Sequence, residues 1–280
     1  MAFLNNTSKR PFGVEIEFLF PTSKEIERVV NQGKMPLWDQ PTEIHDTEDW
    51  ILTTESSVKN SDGSVGFEIN SPHLQGEEGL RQISGIVDML NHCGAMINEN
   101  CGLHVHFEIE YDFDLLHFQN LFKLQLNLED SFDCLVDFNR RYDNPYCKSN
   151  LQPFYECFED EFGVDKDEVL WTEAGRIALV EKAYTLLDDS QLIRQFIWGS
   201  KYHKLNMAAV TKHGTVEIRH HHGSLNYLDI ANWVALQMAL VETAKNVVQN
   251  EPAKAFFIGP QKVFTALSVN EEVIEYYLSQ

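Results

Sequence analysis

Four short segments of this chain each join two unlike faces on a single strand, and that pattern limits the fold more than any other feature. Side chains alternate across a β-strand. In FGVEIEF, Val14, Ile16 and Phe18 therefore share one face and Glu15 and Glu17 the other. In GFEIN, Phe67 and Ile69 oppose Glu68 and Asn70. In GLHVHFEIE, Leu103, Val105, Phe107 and Ile109 oppose His104, His106, Glu108 and Glu110; in TVEIRHH, Val216 and Ile218 oppose Glu217, Arg219 and His221. A second face that is merely wetted usually carries Thr, Lys, Ser and Gln. This one carries Glu, His and Arg in nearly every slot, which predicts a sheet with an apolar face for a core and an ionisable face for chemistry.

The segments between these strands alternate irregularly with helical patterns, which favours an α+β sheet over a doubly wound one. Thr22 and Glu25 form a capping box for a helix over residues 22–32. Trp50 to Thr54 and Gly66 to Ile69 read as a hairpin around the turn signal SDGS at 61–64. Leu80, Ile83, Val87 and Leu90 recur at helical spacing until Cys93 and Gly94, and a second helix runs from Leu115 to about Phe138. The acid-rich stretch ECFEDEFGVDKDE lies within an expected insertion at about 140–200. Asn226 caps a helix whose Leu228, Trp233, Leu236, Leu240 and Val241 point one way, and a last helix lies near Glu271 to Leu278. No linker or internal repeat divides the chain, so its 280 residues read as one domain, 1–280.

Composition excludes several classes of function. With 43 acids against 22 Lys+Arg the net charge is −21, a field that repels nucleic acid and anionic lipid. No stretch is apolar enough for a membrane span, and the chain reads as cytoplasmic. The 5 Cys form no C-x-x-C pair, so reduced, partly buried thiols are expected in place of a zinc ribbon.

Clustered carboxylates repel one another unless cations neutralise them. Glutamate oxygens with an imidazole suit hard ions, Mg²⁺ or Mn²⁺, better than tetrahedral zinc, which recruits more His or Cys. Arg219, on the face of Glu217, adds a fixed planar cation for a phosphate or carboxylate. Together they suggest phosphoryl chemistry. Neither G-x-x-x-x-G-K-[ST] nor G-x-G-x-x-G occurs, so a nucleotide would be held by metals and by the sheet face.

Six stretches extend this reading: GVEIEF at 13–18, the Trp50 strand with Glu55-Ser-Ser-Val, GFEINSP at 66–72, CGLHVHF at 101–107, YHKLN at 202–206 and TVEIRHHHGSLN at 215–226. In this order they resemble the amidoligase family, a branch of the glutamine synthetase and glutamate-cysteine ligase superfamily of ATP-dependent carboxylate-amine ligases. The resemblance implies a curved, mainly antiparallel sheet with helices on its convex face and an active-site cleft on its concave face. It implies two bound Mg²⁺ or Mn²⁺ ions and ATP, with Glu15, Glu17, Glu68, His104 and Glu217 as metal ligands and Arg219 as a phosphate contact. His106 and Asn206 match nucleotide contacts, and Glu55 is a candidate base. The reaction it implies forms an amide from a small-molecule or peptide carboxylate and an amine through an acyl phosphate, with a glutamine amidotransferase as a possible partner. The chain departs from the family pattern where Glu55 stands in place of Asp, with Asp62-Gly-Ser-Val as a rival element, and in the run His220 to His222. A metal-dependent hydrolase or kinase on the same face, or a silent binding module, is the alternative reading.

Overall fold

The computed structural model describes residues 9–20, 50–60, 63–141, 144–154, 173–189, 191, 193–194, 199–247 and 258–280. The expected helix at 22–32, the rival Asp62 and the acid run after Tyr155 lie outside these residues. The strands are β1 (Phe12–Phe18), β2 (Ile51–Lys59), β3 (Val65–Asn70), β4 (Gly102–Glu108), β5 (Leu205–Asn206) and β6 (Thr215–His222). The helices are α1 (Gly76–His92), α2 (Leu115–Asp133), α3 (Glu173–Leu186), α4 (Ala209–His213), α5 (Tyr227–Asn246), α6 (Pro260–Leu267) and α7 (Glu271–Leu278). The strands form one antiparallel sheet in the order β2-β3-β1-β4-β6-β5. The fold is mixed α and β, and no described helix is long and apolar enough to cross a membrane.

Two compact units divide the chain. The first is Met1–Glu108 with Glu217–Ala235, and the second is Ile109–Val216 with Leu236–Gln280.

In the first unit the alternation of the strands is realised. Val14, Ile16, Phe18, Phe67, Ile69, Leu103, Val105, Phe107 and Ile218 are all buried. β2 and β3 form the expected hairpin, but β2 runs on to Lys59 because Ser56 to Val58 bulge between the pairs Glu55↔Gly66 and Lys59↔Val65. Gly66 permits the close approach, since a Cβ there would meet Val58 Cγ1 at 2.6 Å. α1 buries Leu80, Ile83, Val87 and Leu90 and ends at Cys93, with Gly94 following at φ +81°. Its acidic first turn, Glu77 and Glu78, complements the helix dipole. Asn226 caps α5 by accepting from Leu228 N at 3.0 Å. Leu228 itself is 44% exposed, whereas Trp233 is fully buried against His220 and His221.

In the second unit α2 starts with a reciprocal cap in which Asp114 and His117 exchange backbone-to-side-chain hydrogen bonds at 3.0 and 3.1 Å. The helix stops at Asp133, short of the expected Phe138, where the bond from Leu135 N to Phe132 O tightens the last turn. Around α2 lie α3, through Tyr184 Oη donating to Lys123 O at 3.1 Å, and α6, through Lys262 Nζ donating to Asn127 O at 2.7 Å. The inward side of α2 also carries Glu129 and Asp133, which are paired with the buried Lys204. Cys93, Cys101, Cys134 and Cys147 are free thiols, and all but Cys134 are buried.

Candidate functional site

Strand register decides which ionisable side chains meet, and all but one of the candidate residues lie in the first unit. Across the sheet Thr53 pairs with Glu68 and Glu68 with Glu17, which makes one row. Asn70 pairs with Glu15 and Glu15 with His104, which makes the next. Antiparallel pairing of β4 with β6 is fixed at its ends by Ile109 N to Gly214 O and by Gly223 N to Cys101 O, and it brings Glu217 alongside His106.

His104, Glu17 and Glu217 form the buried floor, while Glu15, Glu55, Glu68, His106 and Arg219 are half-buried around it. His104 Nδ1 lies 3.0 Å from Glu15 Oε2 and 3.7 Å from Glu217 Oε1, and its Nε2 lies 3.8 Å from Glu17 Oε1. His106 Nε2 lies 3.1 Å from Glu15 Oε1 and 4.0 Å from Glu217 Oε1. Arg219 pairs with Glu217. Glu17 is fixed from the backbone, because Gly102 N donates to its Oε2 at 2.5 Å. Glu55 is held by its own bulge, with Ser57 N and Ser57 Oγ donating to Oε1 at 2.7 and 2.6 Å.

The face is electrostatically two-sided. Burial would raise the pKa of Glu15, but His106 and His104 hold its carboxyl well below the usual range. Burial acts the same way on Glu217, and Arg219 and His106 overcome it. On the imidazole of His106 burial pushes downward, yet Glu15 and Glu217 raise it overall. Glu68 is the opposite case, held well above the usual range by burial and by Glu15, Glu17 and Glu55. The β1–β3–β2 side therefore crowds carboxylates together, whereas on the β4–β6 side Glu217 faces Arg219 and His106.

Three groups of side chains present ligand atoms within 4.8 Å of one another: Glu15–His106–Glu217, Glu15–Glu68–His104 and Glu17–Glu55–Glu68. Carboxylate-rich groups with at most one imidazole each have the chemistry of a site for hard divalent cations, and a cation would relieve the repulsion that resists ionisation of Glu68. The residues fit Mg²⁺ or Mn²⁺.

Residues 8–241 match the family described as “putative amidoligase enzyme”. The chain belongs to the amidoligase family. The matched stretch includes every strand of the sheet and runs into α5. Among curated proteins no significant match is found.

Of the residues expected to serve this amidoligase-family chain, Glu15, Glu17, Glu55, Glu68, His104, His106, Glu217 and Arg219 share one face in the first unit. Asn206 lies in the second unit, buried, with Oδ1 accepting from Ala208 N at 2.9 Å. The polar slots Glu108, Glu110 and His221 do not join the cluster. The Glu108 carboxylate lies 3.8 Å from His73, Glu110 flanks Gly214, and His221 packs on Trp233 and His222. The structure also groups Glu55 and His106 with the possible metal ligands, where the sequence suggested a base and a phosphate contact. Their distances from Glu68 and Glu217 follow from non-local register, which spacing along the chain does not encode. Gly102 escaped the sequence reading altogether, because its contribution is a backbone N–H.

Proposed function

We propose that the chain is an ATP- and divalent-cation-dependent carboxylate-amine ligase, built as one catalytic domain of the glutamine synthetase type, that forms an amide through an acyl phosphate. The observation that supports this reading is the joining of a carboxylate cluster fit for hard cations to the Glu217–Arg219 pair on one sheet face of an amidoligase-family chain. Bound Mg²⁺ or Mn²⁺ would neutralise triphosphate charge and polarise the γ-phosphoryl group.

In this mechanism the substrate carboxylate attacks the γ-phosphorus of ATP and ADP leaves. The amine nitrogen then attacks the acyl carbon, the carbon–oxygen bond to phosphate breaks, and inorganic phosphate leaves. Arg219, oriented by Glu217, presents its planar guanidinium to the charge that develops on the transferring phosphoryl group. His106 donates to a phosphate oxygen, and Asn206 serves as a nucleotide or substrate contact. Glu55, with Oε1 held by Ser57, takes the amine proton on Oε2. The acceptor is a small-molecule or peptide amine, and a glutamine amidotransferase partner would supply ammonia.

Hydroxylamine tests the reading without knowledge of the natural amine, since it traps acyl phosphates as hydroxamates. A panel of carboxylates with ATP and Mg²⁺ is expected to give hydroxamate and ADP in equal amounts. Arg219→Lys keeps a charge but loses the fork, and should lower kcat at least about 10-fold while the KM for ATP changes less. Release of ADP without hydroxamate would indicate a hydrolase, and AMP with pyrophosphate would exclude the acyl phosphate.

A further inference from the structure

Asn70 stands on the acid face but is neither a carboxylate nor an imidazole. It follows Glu68 by two residues on β3, and strand register sets it directly across from Glu15. Two carboxylates of the Glu15–Glu68–His104 group are thus its neighbours. Its side chain is 4% exposed. Nδ2 donates to Glu68 Oε1 at 3.1 Å and to Thr53 Oγ1 at 3.4 Å, which fixes the amide plane. With Glu68 ionised, as a bound cation requires, the reverse orientation would set Oδ1 against its carboxylate, acceptor facing acceptor.

With the amide so placed, Oδ1 is enclosed and has no hydrogen-bond partner among the described residues. A buried carbonyl without a donor costs about 1–3 kcal/mol, and nothing about strand pairing requires a polar residue here. Valine or isoleucine would pack a strand slot between Ile51 and Glu15 without that penalty. The residues across from it and two before it on its own strand are Glu15 and Glu68, the two acids of one possible cation group.

We propose that Asn70 supplies a neutral oxygen, through Oδ1, to the divalent cation held by Glu15 and Glu68. This rests on the reading of the acid face as a cation site and adds to it a ligand that brings no further negative charge. On a face where Glu15, Glu17, Glu55 and Glu68 are already crowded together, a neutral donor raises the coordination number without adding another acid. An added carbonyl oxygen also biases the site toward hard ions such as Mg²⁺ and Mn²⁺ and away from zinc.

The test is Mn²⁺ binding to the full chain without nucleotide, read by the electron paramagnetic resonance of free Mn²⁺ and by calorimetry. Asn70→Leu, close in shape and apolar, should raise the Kd about 10-fold or more, the range seen when a metal site loses a supporting group. Asn70→Asp keeps an oxygen at the same place but loses the donor to Glu68, and should bind Mn²⁺ at least as tightly as wild type. If wild type binds no Mn²⁺, the cation reading of the whole face fails. If wild type binds and Asn70→Leu binds equally well, the role of Asn70 alone is overturned. If Asn70→Asp binds as weakly as Asn70→Leu, the amide acts only by orienting Glu68, and the proposed oxygen ligand is again overturned.

Discussion

Replacing Lys204 by Met would remove a positive charge that two buried carboxylates share in the second unit. Lys204 is 1% exposed, and its Nζ lies 2.5 Å from Asp133 Oδ1 and 3.7 Å from Glu129 Oε1. At an effective dielectric constant near 20 these separations correspond to about 7 and about 4.5 kcal/mol of gross attraction. The dehydration of the ammonium offsets much of that sum. What survives in the variant is the cost of buried carboxylates that have lost their ammonium, and breaking a buried pair in this way destabilises by about 3–5 kcal/mol. Glu129 keeps its bonds from Ser149 Oγ and Asn150 N, so Asp133 carries most of the loss.

The same variant has a pH signature. Burial already raises the pKa of Asp133 against the pull of Lys204, and without the lysine it rises further. An acid whose folded pKa exceeds its unfolded value destabilises the fold once pH climbs through the window between them. The gap between wild type and Lys204→Met should therefore be largest near pH 8 and should shrink as pH falls through the raised pKa of Asp133. Urea denaturation at pH 8 and pH 5.5 measures both gaps, and adding Asp133→Asn to Lys204→Met should recover part of the loss at pH 8. A loss below about 1 kcal/mol, or one equal at the two pH values, would refute the electrostatic reasoning.

Gly66→Ala should destabilise by about 1–3 kcal/mol, because the new Cβ would also come within 3.0 Å of the Phe18 carbonyl; a melt unchanged from wild type would show that the β2 bulge relaxes freely. The imidazole of His203 has its pKa lowered, chiefly by burial, while the bond to Ser149 O and Glu129 act the other way. Below about pH 6.5 the unfolded chain therefore takes up a proton that the folded chain resists, and stability falls with pH. His203→Gln should flatten the dependence of Tm on pH between 6.5 and 5 by roughly 1 °C, and an unaltered slope would count against that assignment.

Much of the ionisable face was legible in the residues alone. Glu15, Glu17, Glu68, His104, Glu217 and Arg219 alternate with apolar neighbours, and a period of two assigns each to a face before any partner strand is known. The ends of α1 and the start of α5 were legible for a similar reason, since Cys93-Gly94 and Asn226 act through bonds within a few residues. The end of α2 was not, because apolar spacing continues past Asp133 while the backbone turns there.

What the tertiary structure alone decided is who meets whom. Alternation assigns Glu68 to a face, but only register sets it between Thr53 and Glu17 and places Asn70 across from Glu15. The sequence offered Glu55 as a candidate base beyond the strand read at Trp50 to Thr54, but only the bulge at Ser56 to Val58 shows it held by Ser57 and grouped with Glu17 and Glu68. Glu129 and Asp133 are acids on a helix, and they are buried where Lys204 arrives from about seventy residues further along the chain. The physical reason is the same in each case. Side-chain direction is set by local backbone geometry and can be read from spacing, whereas strand register and the neutralisation of buried charge depend on contacts between segments far apart in sequence.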